Sequence, residues 1–177
     1  FPSEFTENNE SIDINGLVWM GEPSYMKEQI EQKIAENFTC IKLKIGAIDF
    51  NKELELLQFI RTHFDAKTIE IRVDANGAFN SNEALSKLNQ LNEFELHSIE
   101  QPIRANQIQE MKLLCQQTPF PIALDEELIG VFGIEKKRKL LEEIQPQYII
   151  LKPSLVGGFK GTLEWISIAE SLNIGWW

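Results

Sequence analysis

The chain has 177 residues, of which 43% are hydrophobic and 25% charged, and its formal net charge at pH 7 is −10. This composition is typical of a globular protein, and the negative charge argues against nucleic-acid and anionic-membrane partners. The apolar runs are too short to span a membrane, and the chain is shorter than the ~250 residues of a complete (β/α)8 barrel.

The N-terminus and the cysteines indicate the cellular compartment in which we expect the protein. The sequence begins at Phe1, without an initiator methionine or a signal-peptide pattern, so we expect a piece of a longer, cytoplasmic protein. Cys40 and Cys115 have no metal-ligand spacing, and two cysteines are too few for a small disulfide scaffold. We therefore expect both to be reduced, buried thiols.

Strand and helix patterns alternate along the chain. We predict a polar N-terminal segment over residues 1–11 and a partial barrel domain over residues 12–177. The predicted strands cover residues 12–21, 39–46, 69–75, 97–100, 121–125 and 148–152, and a seventh begins at residue 174. The predicted helices begin near residues 23, 51, 81, 105, 134 and 161, with Ser24 and either Ser81 or Asn82 as candidate N-caps.

Charged residues end five consecutive strands of this pattern. Lys44, Asp74, Glu100, Asp125 and Lys152 follow one another at intervals of 30, 26, 25 and 27 residues. Such intervals suit βαβ units, and catalytic groups of (β/α)8 TIM barrels lie at the C-terminal ends of several strands. We therefore predict an incomplete (β/α)8 barrel with about seven strands, lacking the last strand and any capping domain. The alternative, a doubly wound open sheet, is disfavoured because no glycine-rich phosphate loop follows an early strand.

Alternation within the strands predicts which side chains face the barrel interior. A period of two directs the apolar residues outward against the helices and the charged residues inward. The predicted outward residues are Ile71, Val73, Ile99, Leu124 and Leu151, and the inward ones are Lys42, Lys44, Arg72, Asp74, Ser98, Glu100, Asp125 and Lys152. Buried charges need partners or a metal ion.

Three of the inward residues, Asp74, Glu100 and Asp125, are carboxylates at the ends of adjacent strands. Adjacent strands lie about 4.8 Å apart, so uncompensated carboxylates there would repel one another. Mg²⁺ prefers oxygen ligands and resolves that repulsion. Lys44 and Lys152 flank the acids, and burial beside other cations favours the neutral amine that a base requires. The chemistry that fits is removal of a proton next to a substrate carboxylate.

The motifs around these residues resemble the muconate-lactonizing-enzyme branch of the enolase superfamily. They are Lys42-Leu43-Lys44, Val73-Asp74-Ala75-Asn76, Ile99-Glu100-Gln101-Pro102, Leu124-Asp125-Glu126 and Leu151-Lys152-Pro153-Ser154. Within that branch, the segments 99–102, 123–127 and 152–158 are most similar to the o-succinylbenzoate synthases. Enolase-superfamily sites use a lysine or histidine base together with Mg²⁺.

The resemblance implies Mg²⁺ ligation by Asp74, Glu100 and Asp125, with Lys44 as the base and Lys152 opposite it. The supporting residues are Lys42, Asn76 and Glu126. It implies syn dehydration of a small-molecule carboxylate, 2-succinyl-6-hydroxy-2,4-cyclohexadiene-1-carboxylate, on the route to menaquinone. A dipeptide or N-acylamino-acid epimerase uses the same residues and stays an alternative. A further alternative, from a different functional class, is a metal-binding fragment without turnover. We expect these 177 residues alone to be in that state.

Other features receive structural interpretations. Lys136-Lys137-Arg138-Lys139 is expected to be the solvated face of a helix, and Trp165 and Trp176 are expected in the core. An open barrel exposes strand edges, which favours self-association.

Overall fold

The computed structural model describes residues 4–8 and 10–177. Its strands are Gly16–Val18 (β1), Cys40–Lys44 (β2), Glu70–Asp74 (β3), Ser98–Glu100 (β4), Ile122–Leu124 (β5), Tyr148–Ile149 (β6) and Gly175–Trp176 (β7). Its helices are Glu4–Asn8 (α1), Pro23–Ala35 (α2), Phe50–His63 (α3), Ser81–Leu91 (α4), Ile108–Gln117 (α5), Ile134–Ile144 (α6) and Gly158–Ser171 (α7). Short 3-10 turns span Asn92–Phe94 and Glu126–Leu128. None of the helices in these residues is long and apolar enough to cross a membrane.

The strands form one sheet in which each strand pairs in parallel with the next, in the order β1 to β7. This order confirms the barrel-type prediction and excludes the doubly wound sheet, whose strand order reverses at a switch point. Over the described residues no pairing joins β7 to β1, so the barrel is open. The division of the chain at residues 11 and 12 stays a prediction.

The two faces of the sheet differ as the alternation predicts. Ile71, Val73, Ile99 and Leu124 are at most 1% exposed and belong to the hydrophobic core, against which the half-buried Leu151 also packs.

Both cysteines are free, Cys115 buried and Cys40 half-buried. Burial is the main cause that raises the pKa of the Cys40 thiol to about 11 and that of Cys115 to about 12.

Element ends are where the sequence predictions differ most from the structure. The first strand is shorter than predicted: Ile12 and Ile14, which precede it, are 60% and 72% exposed. Ser24 is not the N-cap of α2, because Glu22 holds that position and Pro23 opens the helix, where its fixed φ is favourable. The cap of α4 is Asn80, without a side-chain hydrogen bond, instead of Ser81 or Asn82.

Two further predictions about exposure were wrong. Lys137, expected on a solvated helix face, is 1% exposed, and its ammonium donates to the Gly161 carbonyl oxygen at 2.9 Å and to Glu164 Oε2 at 3.0 Å. Trp176, expected in the core, is 43% exposed, because β7 is an edge strand that pairs only with β6 in the described chain. Trp165 is fully buried, as predicted.

The start of α7 depends on a close approach at Gly161. A Cβ atom at this position would lie 2.1 Å from the Val156 carbonyl oxygen. We expect Gly161→Ala to destabilise the protein by about 1–3 kcal/mol through overpacking, in spite of alanine's better helix propensity. Urea denaturation of the full-length protein measures this change, with the exposed Ser167→Ala in the same helix as control. Equal stability of the two variants would contradict the steric argument.

Candidate active site

The register of the sheet brings the charged strand ends to one edge. Lys44 pairs with Asp74, and Asp74 pairs with Glu100. Glu100 pairs with Ala123, so Asp125 lies two residues beyond that level, at the start of the 3-10 turn. Lys152 follows β6 in a segment that is still bonded to its neighbours, since Leu151 N–H donates to the Trp177 carbonyl oxygen at 2.7 Å.

Six charged side chains at this edge form a continuous row of alternating charges. We call it the charge row, and its members are, in order, Lys44, Asp74, Lys42, Glu100, Lys152 and Asp125. Lys44 Nζ and Lys42 Nζ lie 2.7 and 3.1 Å from Asp74 Oδ2. Lys42 also donates to Glu100. Lys152 lies 3.5 Å from Glu100 Oε1 and donates to Asp125. Three ammonium groups thus match three carboxylates that are at most 3% exposed, which offsets part of the cost of burying them.

The pKa values of the row reflect competition between burial and pairing. Burial, the neighbouring Asp125 carboxyl and the charge of Asp74 raise the pKa of Glu100 to about 7. Burial opposes ionisation of Asp74, but the ammonium groups of Lys42 and Lys44 outweigh it and hold its pKa below the ordinary value. Burial disfavours the charged forms of Lys42 and Lys152, yet the adjacent carboxylates prevail and raise both pKa values.

The donor set suits a hard divalent cation, although the arrangement is not that of a bound metal site. In residues 4–8 and 10–177 no three Asp, Glu, His or Cys side chains are grouped closely enough to hold a metal ion. The carboxylate oxygens instead contact the ammonium groups of Lys42 and Lys152. The buried Glu100 Oε1 and Glu126 Oε2 accept no hydrogen bond from the described residues. Glu100 Oε1 forms an ion pair with Lys152 at 3.5 Å but no hydrogen bond, and carboxylate oxygens of this kind are ligands that Mg²⁺ prefers.

The predicted supporting residues lie at the same edge. Asn76 Oδ1 accepts a hydrogen bond from Lys44 Nζ at 2.7 Å, and its Nδ2 donates to Glu126 Oε1 at 2.9 Å. The Asn76 backbone N–H donates to Asp74 Oδ1 at 3.1 Å. Asn76 therefore links Lys44 to both acids. Trp19 also reaches this end, with its ring centroid 5.5 Å from Lys44 Nζ.

Three buried residues around the row were missed by the sequence reasoning. Gln101 and Glu127 are 0% and 5% exposed and bond to each other beneath the strand ends. Glu53, from α3, is 2% exposed and accepts from the Gly46 N–H at 2.6 Å, which fixes the loop after Lys44. Gln101 and Glu127 lie inside quoted motifs, but their type and spacing carry no signal that separates a structural from a chemical role.

Comparison with known proteins identifies the family. The sequence model of the family described as enolase C-terminal domain-like matches residues 25–177. The chain belongs to this enolase C-terminal domain-like family. The chain is 55% identical over 177 residues to the o-succinylbenzoate synthase of Desulfotalea psychrophila. The aligned region covers 100% of this chain and 48% of that protein.

A solved structure and a second curated relative extend this comparison. The crystal structure of MenC from Desulfotalea psychrophila superposes with a TM-score of 0.90 at 53% identity, covering 100% of this chain and 49% of that one. An L-Ala-D/L-Glu epimerase of Francisella tularensis is 29% identical over 168 residues, covering 94% of this chain and 46% of that protein. The chain thus spans about half the length of the curated relatives that it matches.

Proposed function

We propose that the full-length protein is a Mg²⁺-dependent o-succinylbenzoate synthase, a hydro-lyase that dehydrates 2-succinyl-6-hydroxy-2,4-cyclohexadiene-1-carboxylate. The observation that carries the proposal is 55% identity to an o-succinylbenzoate synthase along the whole of this chain. The charge row supports it, since two lysines stand at separate carboxylates of one buried cluster. A non-catalytic role of the full-length protein receives no support, because the relatives named above are enzymes.

In this proposal Lys44 acts as the base and then as the acid. As a neutral amine it takes the proton from the carbon next to the substrate carboxylate, and the electron pair of the broken C–H bond is delocalised onto the carboxylate as an enediolate. That pair then returns to form the new double bond as the C–O bond breaks. The departing hydroxyl takes the proton from the same nitrogen and leaves as water. The Lys152 ammonium stabilises the negative charge that develops on the carboxylate.

Asp74, Glu100 and Asp125 are the residues that would hold Mg²⁺. When bound, the ion supplies positive charge next to the substrate carboxylate. Asn76 orients Lys44 through the hydrogen bond to its ammonium. The expected partner is therefore a small-molecule carboxylate. Four further expectations stay predictions: the cytoplasmic location, the absence of nucleic-acid and membrane partners, the self-association, and the inactivity of this chain alone.

An epimerase acting on dipeptides or N-acylamino acids is the second candidate. The pair of lysines at separate carboxylates serves this reaction equally well, since epimerisation needs an acid/base on each face of the substrate carbon. Lys152 would then be the second acid/base. The epimerase relative is more distant, at 29% identity.

Turnover by the full-length protein distinguishes the two candidates. We expect 2-succinyl-6-hydroxy-2,4-cyclohexadiene-1-carboxylate and Mg²⁺ to give rapid loss of the diene absorbance, which EDTA abolishes and excess Mg²⁺ restores. Mg²⁺-dependent deuterium uptake at the α-carbon of dipeptides or N-acylamino acids, without dehydration, would replace the dehydratase by the epimerase. Neither activity in a folded, Mg²⁺-binding protein would refute both.

A further inference from the structure

Gln101 is a buried polar residue directly after Glu100. It is 0% exposed and has a positive φ of 39°, an uncommon conformation for a residue with a side chain. A conformation of this kind costs free energy and persists only where the surroundings fix it. The contacts of Gln101 identify what fixes it.

The side-chain amide of Gln101 uses all of its principal hydrogen-bonding capacity. Its Oε1 accepts from the backbone N–H groups of Asp125 at 3.1 Å and Glu127 at 3.3 Å. Its Nε2 donates to the Ile103 carbonyl oxygen at 3.0 Å and to Glu127 Oε2 at 3.2 Å. An amide is the side-chain group that supplies two donors and an accepting oxygen in one plane, so no isosteric residue reproduces these four bonds.

The backbone of Gln101 extends the connection to a third strand end. Its N–H donates to the Ala123 carbonyl oxygen at 2.9 Å, and its own carbonyl accepts from the Gly77 N–H at 2.7 Å. Gly77 belongs to the turn that follows Asp74. One buried residue therefore joins the segments that follow the three carboxylate-bearing strand ends.

We infer that Gln101 is a positioning residue, which fixes Asp125 relative to Glu100 and so sets the affinity of the carboxylate cluster for a divalent cation. This inference rests on the proposed role of Asp74, Glu100 and Asp125 as ligands. Gln101 does not itself contact the metal or the substrate in this account. Its effect passes through the Asp125 backbone, whose N–H it holds beside the strand end of Glu100.

The experiment measures Mg²⁺ binding to the full-length protein by isothermal titration calorimetry, without substrate. Gln101→Met removes the amide at nearly constant volume, and we expect Mg²⁺ binding to weaken about tenfold, as for other residues that orient metal ligands. The exposed Gln58→Met on α3 is the matched control. Ile30→Ala, a buried substitution in α2, controls for lost stability, and we expect both control variants to bind Mg²⁺ as the parent does.

A second variant keeps the test decisive if Gln101→Met does not fold. Gln101→Glu is nearly isosteric and adds a negative charge, which by electrostatics alone would tighten Mg²⁺ binding. We expect it to weaken binding, because both donors are lost and the new carboxylate faces Glu127. Unchanged or tighter binding in Gln101→Glu, or unchanged binding in Gln101→Met, would overturn the inference. If the Gln101 variants bind Mg²⁺ more weakly but the unsubstituted full-length protein has no dehydratase activity, the inference is kept and the proposed reaction is rejected.

Discussion

Lys44→Ala in the full-length protein is expected to reduce turnover by roughly 10²- to 10⁴-fold, the usual contribution of a general acid or base. The expectation follows from the position of Lys44 in the charge row, with its side chain 13% exposed and its ammonium shared between Asp74 and Asn76. Alanine removes the only nitrogen that the proposal uses to move the substrate proton. Steady-state kinetics with saturating Mg²⁺ measures the loss.

Two companion variants separate proton transfer from charge. Lys44→Arg keeps a cation beside Asp74 but is effectively always protonated, so it should be as inactive as Lys44→Ala. Lys52→Ala removes an exposed lysine that pairs with Glu55 on α3, and we expect it to retain full activity. If Lys44→Arg kept most of the turnover, the role of Lys44 would be electrostatic and the assigned base would be wrong.

Much of the site could be predicted from sequence because two simple periods agree. The spacing of charged strand ends indicated the barrel, and alternation within each strand assigned the charged side chains to one face. The structure then places Lys44, Asp74 and Glu100 side by side. The spacing of the strand ends and the alternation within each strand are repetitive patterns along the chain, so a single sequence records them. Whether these residues bind metal and move protons is a separate matter, and it stays a proposal.

The remaining features depend on contacts between segments that are distant in sequence. Gln101 meets Glu127 across 26 positions, and Lys137 meets Gly161 across 24. The local sequence pattern identifies neither Glu127 as the partner of Gln101 nor Gly161 as the partner of Lys137. Lys137 even stands in a run of four basic residues, a pattern that predicts a solvated helix face. Trp176 is apolar yet exposed because no strand beyond β7 covers it in the described chain. Polar partners and sheet edges are properties of the tertiary structure.

Lys137→Met is expected to destabilise the full-length protein by about 2–3 kcal/mol, somewhat less than the ~3–5 kcal/mol for breaking a fully buried pair. Lys137 is 1% exposed, while the Glu164 side chain is 21% exposed, so water compensates part of the charge that is left behind. The Gly161 carbonyl oxygen also loses its side-chain donor. Urea denaturation measures the difference, and the neighbouring, exposed Lys136→Met is the control, for which we expect a change within about 0.5 kcal/mol.

A double-mutant cycle tests whether the pair with Glu164 causes that loss. Glu164→Gln removes the charge that Lys137→Met leaves unpaired, so the double variant should be more stable than the two separate losses predict, by about 1 kcal/mol. Strict additivity would mean that the Gly161 carbonyl, and not Glu164, is the partner that matters. A Lys137→Met protein as stable as Lys136→Met would show that the buried ammonium contributes nothing. In that case the contact between α6 and the start of α7 would depend on packing around the buried Trp165.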